Sequence, residues 1–353
     1  MLPVTNKDIA QLRIYNQHIA HTAFKQAADV VKYIGAIQAQ DYAGAKWAVG
    51  LRMQDAKDAA IDRAMADGSI IRTHVLRPTW HFVSSDDLRW MLDLTALRIK
   101  AAAAPWYKKL ELDATILKKS NDTLARILEG DKQLSRTEVM TALQQAGIAT
   151  DDLRFIYLLL WAELEQVICS GGRQGKQFSY ALFDDRVPPA PPKPKEEALV
   201  ELAMRYFASR APATLSDFAW WSGLTTTDAK AGLDLIKSDL ISLKIEGKEY
   251  WMNADLEDID IKTPFAHLLP AYDEYAVSYK DRTATVKPEY LTQARYVIFD
   301  PSIVVNNQVV GTWKRTINKH GADITLNLFG KLNKVQTAAV DAAISRYQKF
   351  IKD

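Results

Sequence analysis

The sequence has almost none of the residue that builds disulfides and thiolate metal sites. It holds a single cysteine, Cys169, among 353 residues. One cysteine can form no internal disulfide and cannot supply a multi-cysteine zinc site. We therefore expect a protein of a reducing compartment, in the cytoplasm, with an inert buried thiol at Cys169. The sequence gives no reason to expect a metal or another cofactor.

Targeting patterns and long apolar runs are also missing. Residues Met1–Asp8 do not show a basic stretch followed by an apolar one, which a secretory signal requires. The longest apolar run surrounds Leu158–Ala162, and it is interrupted by Glu163 and Glu165. We expect no membrane-spanning segment, because a span needs about 20 consecutive apolar residues.

A charge excess of one sign is lacking as well. The net charge is only +2, from 45 basic and 43 acidic residues. Bulk attraction to nucleic acid is therefore not indicated, and any affinity for DNA must come from a local basic surface. Hydrophobic residues make up 48% and charged residues 25%, which is typical of a globular protein with room for two to four compact units.

The sequence does contain one pattern that occurs three times along the chain, namely helices followed by a short hairpin. In the first copy, helical spacing is followed by two strands that flank a turn at Arg77–Pro78. The second copy opens near Asp113 and includes the capping box Ser135–Glu138. Its hairpin tip carries Arg173 and Lys176. The predicted helices of these two copies are 7–18, 23–33, 58–67, 137–145 and 154–165, and the predicted strands are 70–76, 79–83, 166–169 and 177–182.

A proline-rich linker over residues 187–195 separates the third copy from the second. We predict helices at 196–209, at 215–221 and from 225 towards 239, and then a hairpin of strands 241–245 and 248–252. Helix, turn, helix and hairpin is the order of a winged helix. The helix at 154–165 is apolar nearly all round, so we expect it to pack rather than to read DNA bases.

From about residue 264 the pattern changes to strands. They are predicted at 266–269, 296–298, 303–305, 309–313 and 324–328, with a turn at Asn306–Asn307 and a terminal helix at 335–351. The predicted class is α+β. The predicted domains are a first winged-helix unit at 1–112, a second at 113–186, a third at 195–258, and a C-terminal β-rich domain at 259–353.

The Gln38–Ala39–Gln40 segment with Asp41 is the strongest chemical signal. Two neutral carboxamides, each able to donate and accept hydrogen bonds, lie beside a carboxylate that can take a proton. Such a set can hold a water, a sugar or a base edge without titrating near neutral pH. A glutamine pair more often lies on a helix surface, so the motif alone is a weak indication.

Four segments together make a more specific case. They are Gln38–Gln40, Arg77–His81, Leu268–Tyr275 and Gly311–Arg315. In these segments the chain resembles a bacterial family of tandem winged-helix DNA-binding proteins that includes the AlkZ-type DNA glycosylases. The resemblance covers essentially the whole chain. It implies three winged helices around a concave DNA-binding channel, a C-terminal β-rich domain, and a catalytic Gln-x-Gln motif at Gln38 and Gln40.

The activity that this resemblance implies is hydrolysis of the N-glycosidic bond of an alkylated purine, crosslinked adducts included. Gln38 and Gln40 would position the attacking water, and we assign Asp41, from adjacency alone, to accept a proton or to steady the sugar cation. No lysine occurs in the motif, so we expect no Schiff-base step. The expected partner is double-stranded, damaged DNA. Its expected contacts are Arg77, Thr79, His81, Arg173, Lys176, Lys314 and Arg315.

Plainer interpretations of several residues stay open. His74 and His81 are expected to be buried histidines bonded to backbone carbonyls, with DNA or water contact as the alternative. Asp273 and Glu274, placed on a strand, are expected to pair with Lys280 or Arg282. The adjacent tryptophans at 220 and 221 are expected in the core. For the whole chain, the alternatives to a glycosylase are a non-enzymatic DNA-binding or regulatory protein and a small-molecule sensor.

Overall fold

The computed structural model describes residues 5–151, 153–175, 177–254, 265–296, 299–319 and 321–352. Helices and strands are mixed along the whole chain, which confirms the predicted α+β class. The chain divides into two compact units, one formed by Met1–Ile61 with Leu199–Asp353 and the other by Asp62–Ala198. This division is coarser than the four predicted domains, which stay predictions together with their winged-helix assignment.

The first unit contains most of the helices and strands, including the four-stranded main sheet. Two helices, α4 (Asp58–Ala66) and α10 (Lys195–Arg210), begin in one unit and end in the other. The other elements of the first unit are α1 (Asn6–Asn16), α2 (Ala27–Ile34), β1 (Ile37–Gln38), α3 (Tyr42–Gly50), α11 (Leu215–Ser222), α12 (Thr226–Ile236), β7 (Ile241–Ile245), β8 (Lys248–Met252), β9 (Ala266–Leu269), α13 (Glu274–Val277), α14 (Leu291–Tyr296), β10 (Ser302–Val305), β11 (Gln308–Asn318), β12 (Gly321–Leu328) and α15 (Lys334–Ile351).

The second unit is built from helices that pack on one antiparallel hairpin and one three-stranded antiparallel sheet. Its elements are β2 (Ile70–His74), β3 (Trp80–Ser84), α5 (Ser85–Lys109), α6 (Ala114–Leu128), β4 (Leu134–Ser135), α7 (Arg136–Gln145), α8 (Arg154–Leu164), β5 (Ile168–Ser170), β6 (Ser179–Leu182) and α9 (Phe183–Arg186). β2 pairs with β3, and β6 lies between β4 and β5. The capping box at Ser135 and Glu138 is present at the start of α7, as predicted.

The main sheet has the strand order β12-β11-β10-β9, with all neighbours antiparallel. The turn between β10 and β11 is formed by Asn306 and Asn307, whose φ angles are 48° and 67°. Asparagine tolerates this left-handed conformation, which a two-residue hairpin turn requires at both positions. α15 packs on the sheet through the buried side chains of Val340, Ala343, Tyr347 and Phe350.

Three predictions about this unit are wrong or incomplete. Tyr296 ends helix α14 instead of opening a strand, and the rest of that predicted strand, residues 297–298, lies outside the described residues. Trp221 is buried, but Trp220 is 42% exposed and donates its indole N–H to the Val277 carbonyl. β11 continues five residues beyond the predicted end at Trp313, because it keeps pairing with β12 up to Asn318.

No helix in the described part of the chain combines the length and the apolar composition needed to cross a lipid bilayer.

Candidate active site

The turn after α2 sets the direction of the Gln-x-Gln segment. α2 buries Val30, Val31 and Ile34 and ends at Gly35, whose φ is +81°. This conformation is strained for any residue that carries a Cβ, so glycine ends the helix with little steric strain at the point where the chain must turn. The chain then enters β1 in an extended conformation.

Alternation along this extended chain separates the two glutamines from their apolar neighbours. Ile37 and Ala39 are fully buried, whereas Gln38 is half-buried and Gln40 is exposed. Residues two apart on an extended chain point to the same side, so both carboxamides lie on the accessible side. Among the described residues, neither side-chain carboxamide has a hydrogen-bond partner. Both are therefore available to a ligand.

Asp41 stands at the start of α3, where the helix presents its free backbone N–H groups. Gly44 makes room for it. A Cβ at Gly44 would lie 2.7 Å from Asp41 Oδ2 and 3.3 Å from Pro270 Cβ. The backbone of α3 can therefore approach the Asp41 carboxylate only because position 44 has no side chain.

Arg315 of β11 joins the site from 274 residues further along the chain. Its Nη2 lies 3.4 Å from Asp41 Oδ2, and its Nη1 donates to the Tyr347 hydroxyl at 3.0 Å. Tyr347 is buried against the rings of Trp47 and Trp313, and burial raises the pKa of its hydroxyl. Arg315, expected among the DNA contacts, thus meets a carboxylate of the protein itself.

Below the segment lies a buried ion pair between Arg210 and Glu274. The Gln38 backbone N–H donates to Glu274 Oε1 at 2.9 Å, and Arg210 Nη2 donates to Glu274 Oε2 at 2.7 Å. Both side chains of the pair are fully buried. Burial alone would raise the pKa of the Glu274 carboxyl. Attraction to Arg210 and hydrogen bonds from Ser278, Arg210 and the Gln38 backbone outweigh it and lower that pKa to about 2.

Arg210 also holds the chain directly before the glutamines. Its Nη1 donates to the Ile34 carbonyl at 2.6 Å and its Nη2 donates to the Ala36 carbonyl at 3.0 Å. A guanidinium can serve several acceptors at once in a fixed plane, which suits it to this position. The backbone from Ile34 to Gln38 is thus tied to one buried pair on both sides of Gly35.

The preceding residue, Asp273, forms a second buried pair. Both of its carboxylate oxygens accept from Arg52, at 3.0 and 3.1 Å. The expectation of structural ion pairs at positions 273 and 274 is therefore confirmed. The expected partners, Lys280 and Arg282, and the expected strand are wrong, because Asp273 caps the short helix α13 and Glu274 begins it.

Arg77 and Thr79 lie in the second unit, in the turn between β2 and β3, and His81 is the second residue of β3. The Thr79 N–H donates to the Arg77 carbonyl at 2.7 Å, and His81 Nδ1 lies 2.8 Å from the Thr79 carbonyl oxygen. The buried, carbonyl-bonded histidine is thus found at His81. His74 is buried as predicted, but the predicted carbonyl partner is wrong, since its Nδ1 bonds the buried carboxylate of Glu163 at 2.7 Å.

Two arginines of the same unit, one on β2 and one at the predicted hairpin tip, lie close to the same aromatic ring. The guanidinium carbons of Arg72 and Arg173 lie 4.6 and 5.6 Å from the ring centre of Phe178. Lys176 lies outside the described residues. Cys169 is buried, and burial raises the pKa of its thiol to about 12, so it is a poor nucleophile as predicted.

The candidate site therefore consists of Gln38, Gln40, Asp41 and Arg315 in the first unit. Lys314 is exposed on the opposite face of β11 from Arg315, because adjacent strand residues alternate. Sequence reasoning missed Arg210 and the link from Glu274 to Gln38. The only signal was that Glu274 belongs to one of the four resembling segments.

Comparison with known proteins shows what this chain is similar to. A family model described as "DNA glycosylase AlkZ-like" matches residues 31–350. A relative from Streptomyces sahachiroi, the "Interstrand DNA cross-link repair glycosylase", is 23% identical over 328 residues, which are 86% of this chain and 85% of that protein. The solved structure of Streptomyces sahachiroi DNA glycosylase AlkZ is similar with a TM-score of 0.80 at 19% identity, over 99% of this chain and 97% of that one.

Proposed function

This chain belongs to the AlkZ-like DNA glycosylase family, and from that premise we propose that it hydrolyses the N-glycosidic bond of alkylated purines in double-stranded DNA. Crosslinked purines are included among the proposed substrates. The name of the Streptomyces sahachiroi relative, an interstrand cross-link repair glycosylase, supports this extension. The proposed location is the cytoplasm, at the nucleoid.

One observation carries the proposal. Two carboxamides without partners in the described chain, Gln38 and Gln40, lie on the accessible side of an extended segment that ends at the Asp41 carboxylate. A purine alkylated on a ring nitrogen is cationic and leaves readily. The protein then needs chiefly to place a water and to stabilise positive charge on the sugar.

The proposed reaction is a displacement at the sugar C1′. The bond from C1′ to the base nitrogen breaks, and its electron pair neutralises the alkylated ring. A water held by the carbonyl oxygens of Gln38 and Gln40 forms the new bond from its oxygen to C1′. Asp41 accepts the proton that this water loses, or it steadies the cationic sugar before the attack and the proton passes to bulk water. No metal, cofactor or covalent enzyme intermediate takes part in this scheme.

The proposed DNA contacts lie on both units. Arginine and lysine side chains bind phosphates, and hydroxyl and imidazole groups supply further polar contacts. The residues proposed for this role are Arg77, Thr79, His81, Arg173, Lys176, Lys314 and Arg315. We propose that they fix the position of the duplex on the protein, whereas the glutamine segment acts on the lesion.

The test is a single-turnover assay on duplex DNA that contains N7-alkylguanine or N3-alkyladenine. We expect the protein to release free base. We expect Gln38→Ala and Gln40→Ala each to slow release by about 100-fold or more, the loss typical of a group that stabilises the transition state. The matched control is Gln293→Ala, which removes an exposed carboxamide from α14 in the same unit and should leave the rate unchanged.

The competing function is a non-enzymatic DNA-binding or regulatory protein. It predicts tight binding to the same duplexes without release of base, and no dependence of binding on Gln38 or Gln40. That result, with protein shown to be folded, would contradict the glycosylase proposal.

A further inference from the structure

We propose that Glu274 is a positioning residue for catalysis, because its carboxylate, paired with Arg210, fixes the backbone of Gln38 and so aims the water-holding carboxamide. This inference rests on the proposed glycosylase function. It assigns a task in the reaction to a side chain that cannot reach the substrate, since Glu274 is fully buried.

The two oxygens of Glu274 serve two different parts of the molecule. Oε1 accepts from the Gln38 backbone N–H at 2.9 Å. Oε2 accepts from three donors: Arg210 Nη2 at 2.7 Å, Trp221 Nε1 at 3.0 Å and the Ser278 hydroxyl at 2.5 Å. The residue therefore connects the catalytic segment to α10, α11 and the end of α13.

All four partners of this carboxylate are donors. An ionised carboxylate only accepts hydrogen bonds, so it satisfies all of them, while a neutral acid or an amide cannot. The hydrogen bonds to a buried charged group are also the strong ones. Gln38 is therefore held by an anion that is itself held rigidly.

Gln38 is clamped from a second direction by the same pair. Arg210 binds the carbonyls of Ile34 and Ala36, and Glu274 binds the N–H of Gln38. With the backbone fixed at these points, the Cα of Gln38 has a defined position, and only the rotamer of its side chain remains to be set when the substrate binds. A displacement of about 1 Å at a reacting group costs about 100-fold in rate, so the clamp has a direct kinetic effect.

The informative substitution is Glu274→Gln, which keeps the shape and removes the charge. Its single carbonyl oxygen will face the three donors around Oε2, because that side offers the most hydrogen bonds. The amide NH₂ then meets the Gln38 N–H, and two donors face each other. The variant should thus release Gln38 while the packing around position 274 is kept.

The matched control is Asp273→Asn. Asp273 is the neighbouring residue, is equally buried and pairs with a buried arginine, Arg52, but it makes no hydrogen bond to the glutamine segment. Asparagine also remains a good cap for α13. The two variants should lose similar stability, so any difference between them reports the contact with Gln38.

Three quantities are measured for both variants: the single-turnover rate of base release at saturating protein, the Kd for the damaged duplex, and the hydrogen exchange of a peptide that spans Gln38. For Glu274→Gln we expect a rate lower by about 100-fold, a Kd within about twofold of the original, and exchange at Gln38 faster by about tenfold. For Asp273→Asn we expect rate and exchange close to those of the unchanged protein. Equal rates for the two variants would overturn the proposal.

If Glu274→Gln does not fold, Ser278→Ala serves as the second variant. It removes one donor to Oε2 and one contact to Arg210 and leaves the ion pair intact. We expect a smaller loss of rate with faster exchange at Gln38, and an unchanged rate and exchange would contradict the proposal. Exchange at Gln38 is measured without substrate. Absence of base release by the unchanged protein would therefore refute the proposed function, whereas unaltered exchange would refute the clamp.

Discussion

Two arginine–carboxylate pairs flank the glutamine segment, and they differ in burial. Arg210 and Glu274 are both 0% exposed and lie 2.7 Å apart. Arg315 and Asp41 are 22% and 37% exposed and lie 3.4 Å apart. The first pair lies under the segment and the second lies at its accessible end.

The difference separates a structural task from a binding task. A buried pair cannot lose one member without leaving an unpaired charge in the interior, so it holds the backbone firmly. A partly exposed pair with a long contact contributes little stability and is screened by salt. We propose that its arginine exchanges this carboxylate for a DNA phosphate when the duplex binds.

The largest effect expected from this comparison is on stability. Arg210→Met should lower the free energy of unfolding by about 3–5 kcal/mol, because Glu274 stays buried without its cation. Arg315→Met should lower it by about 0–1 kcal/mol. Urea unfolding of the two variants measures both values. Equal losses would show that the burial of the two pairs does not set their contribution.

The second-largest effect expected is that acid lowers the free energy of unfolding. The pKa of Glu274 is lowered to about 2, and burial, with Arg346 and Arg52 nearby, lowers the pKa of His267 to about 3. In both cases the unfolded state binds more protons than the folded state, so the stability is present above the unfolded pKa and is lost as the pH falls. The free energy of unfolding should therefore decline below about pH 6.5 through His267 and further below about pH 4.5 through Glu274.

Urea unfolding between pH 8 and pH 3 measures this decline. His267→Phe should remove its share of the decline between pH 6.5 and pH 4.5, with a slope that is smaller by up to about 1.4 kcal/mol per pH unit. The decline that remains is expected from His18, whose pKa is lowered to about 4 by burial and by the nearby His21 and Arg52. A stability that is constant down to pH 4.5 in the unchanged protein would contradict the prediction for His267.

The smallest effect concerns the exposed pair. Arg315→Ala should weaken binding to duplex DNA and reduce the slope of log K against log salt by about one, as expected for one lost phosphate contact. Lys349→Ala is the control. Lys349 lies on α15, forms an exposed pair with Asp55 and has no assigned DNA contact. An Arg315→Ala slope equal to that of the control would show that Arg315 stays with Asp41 when DNA binds.

Sequence reasoning was accurate where the determinants are local. The hairpin of β7 and β8 has the predicted strand bounds, with Glu246 and Gly247 at its turn. The capping box at Ser135 and the turn at Asn306 and Asn307 are likewise found. Each depends on residues within about four positions, whose backbone preferences act in any surroundings.

It failed where a partner is distant in sequence. Asp273 and Glu274 were expected to pair with nearby cations, but their partners are Arg52 and Arg210, 221 and 64 residues away. Trp220 was expected in the core beside Trp221, yet neighbours on a helix point in different directions and only one of them faces the interior. Packing between elements decides such contacts, and no local preference encodes it.

By itself, the sequence determined the α+β class, the glutamine pair and the local caps and turns. Those properties follow from side-chain chemistry and from local backbone preferences. Only the tertiary structure decided that the Gln38 N–H meets a carboxylate 236 residues further along, and that Arg315 reaches Asp41. The reason is physical: a buried charge is tolerated only where several distant segments together supply its partners.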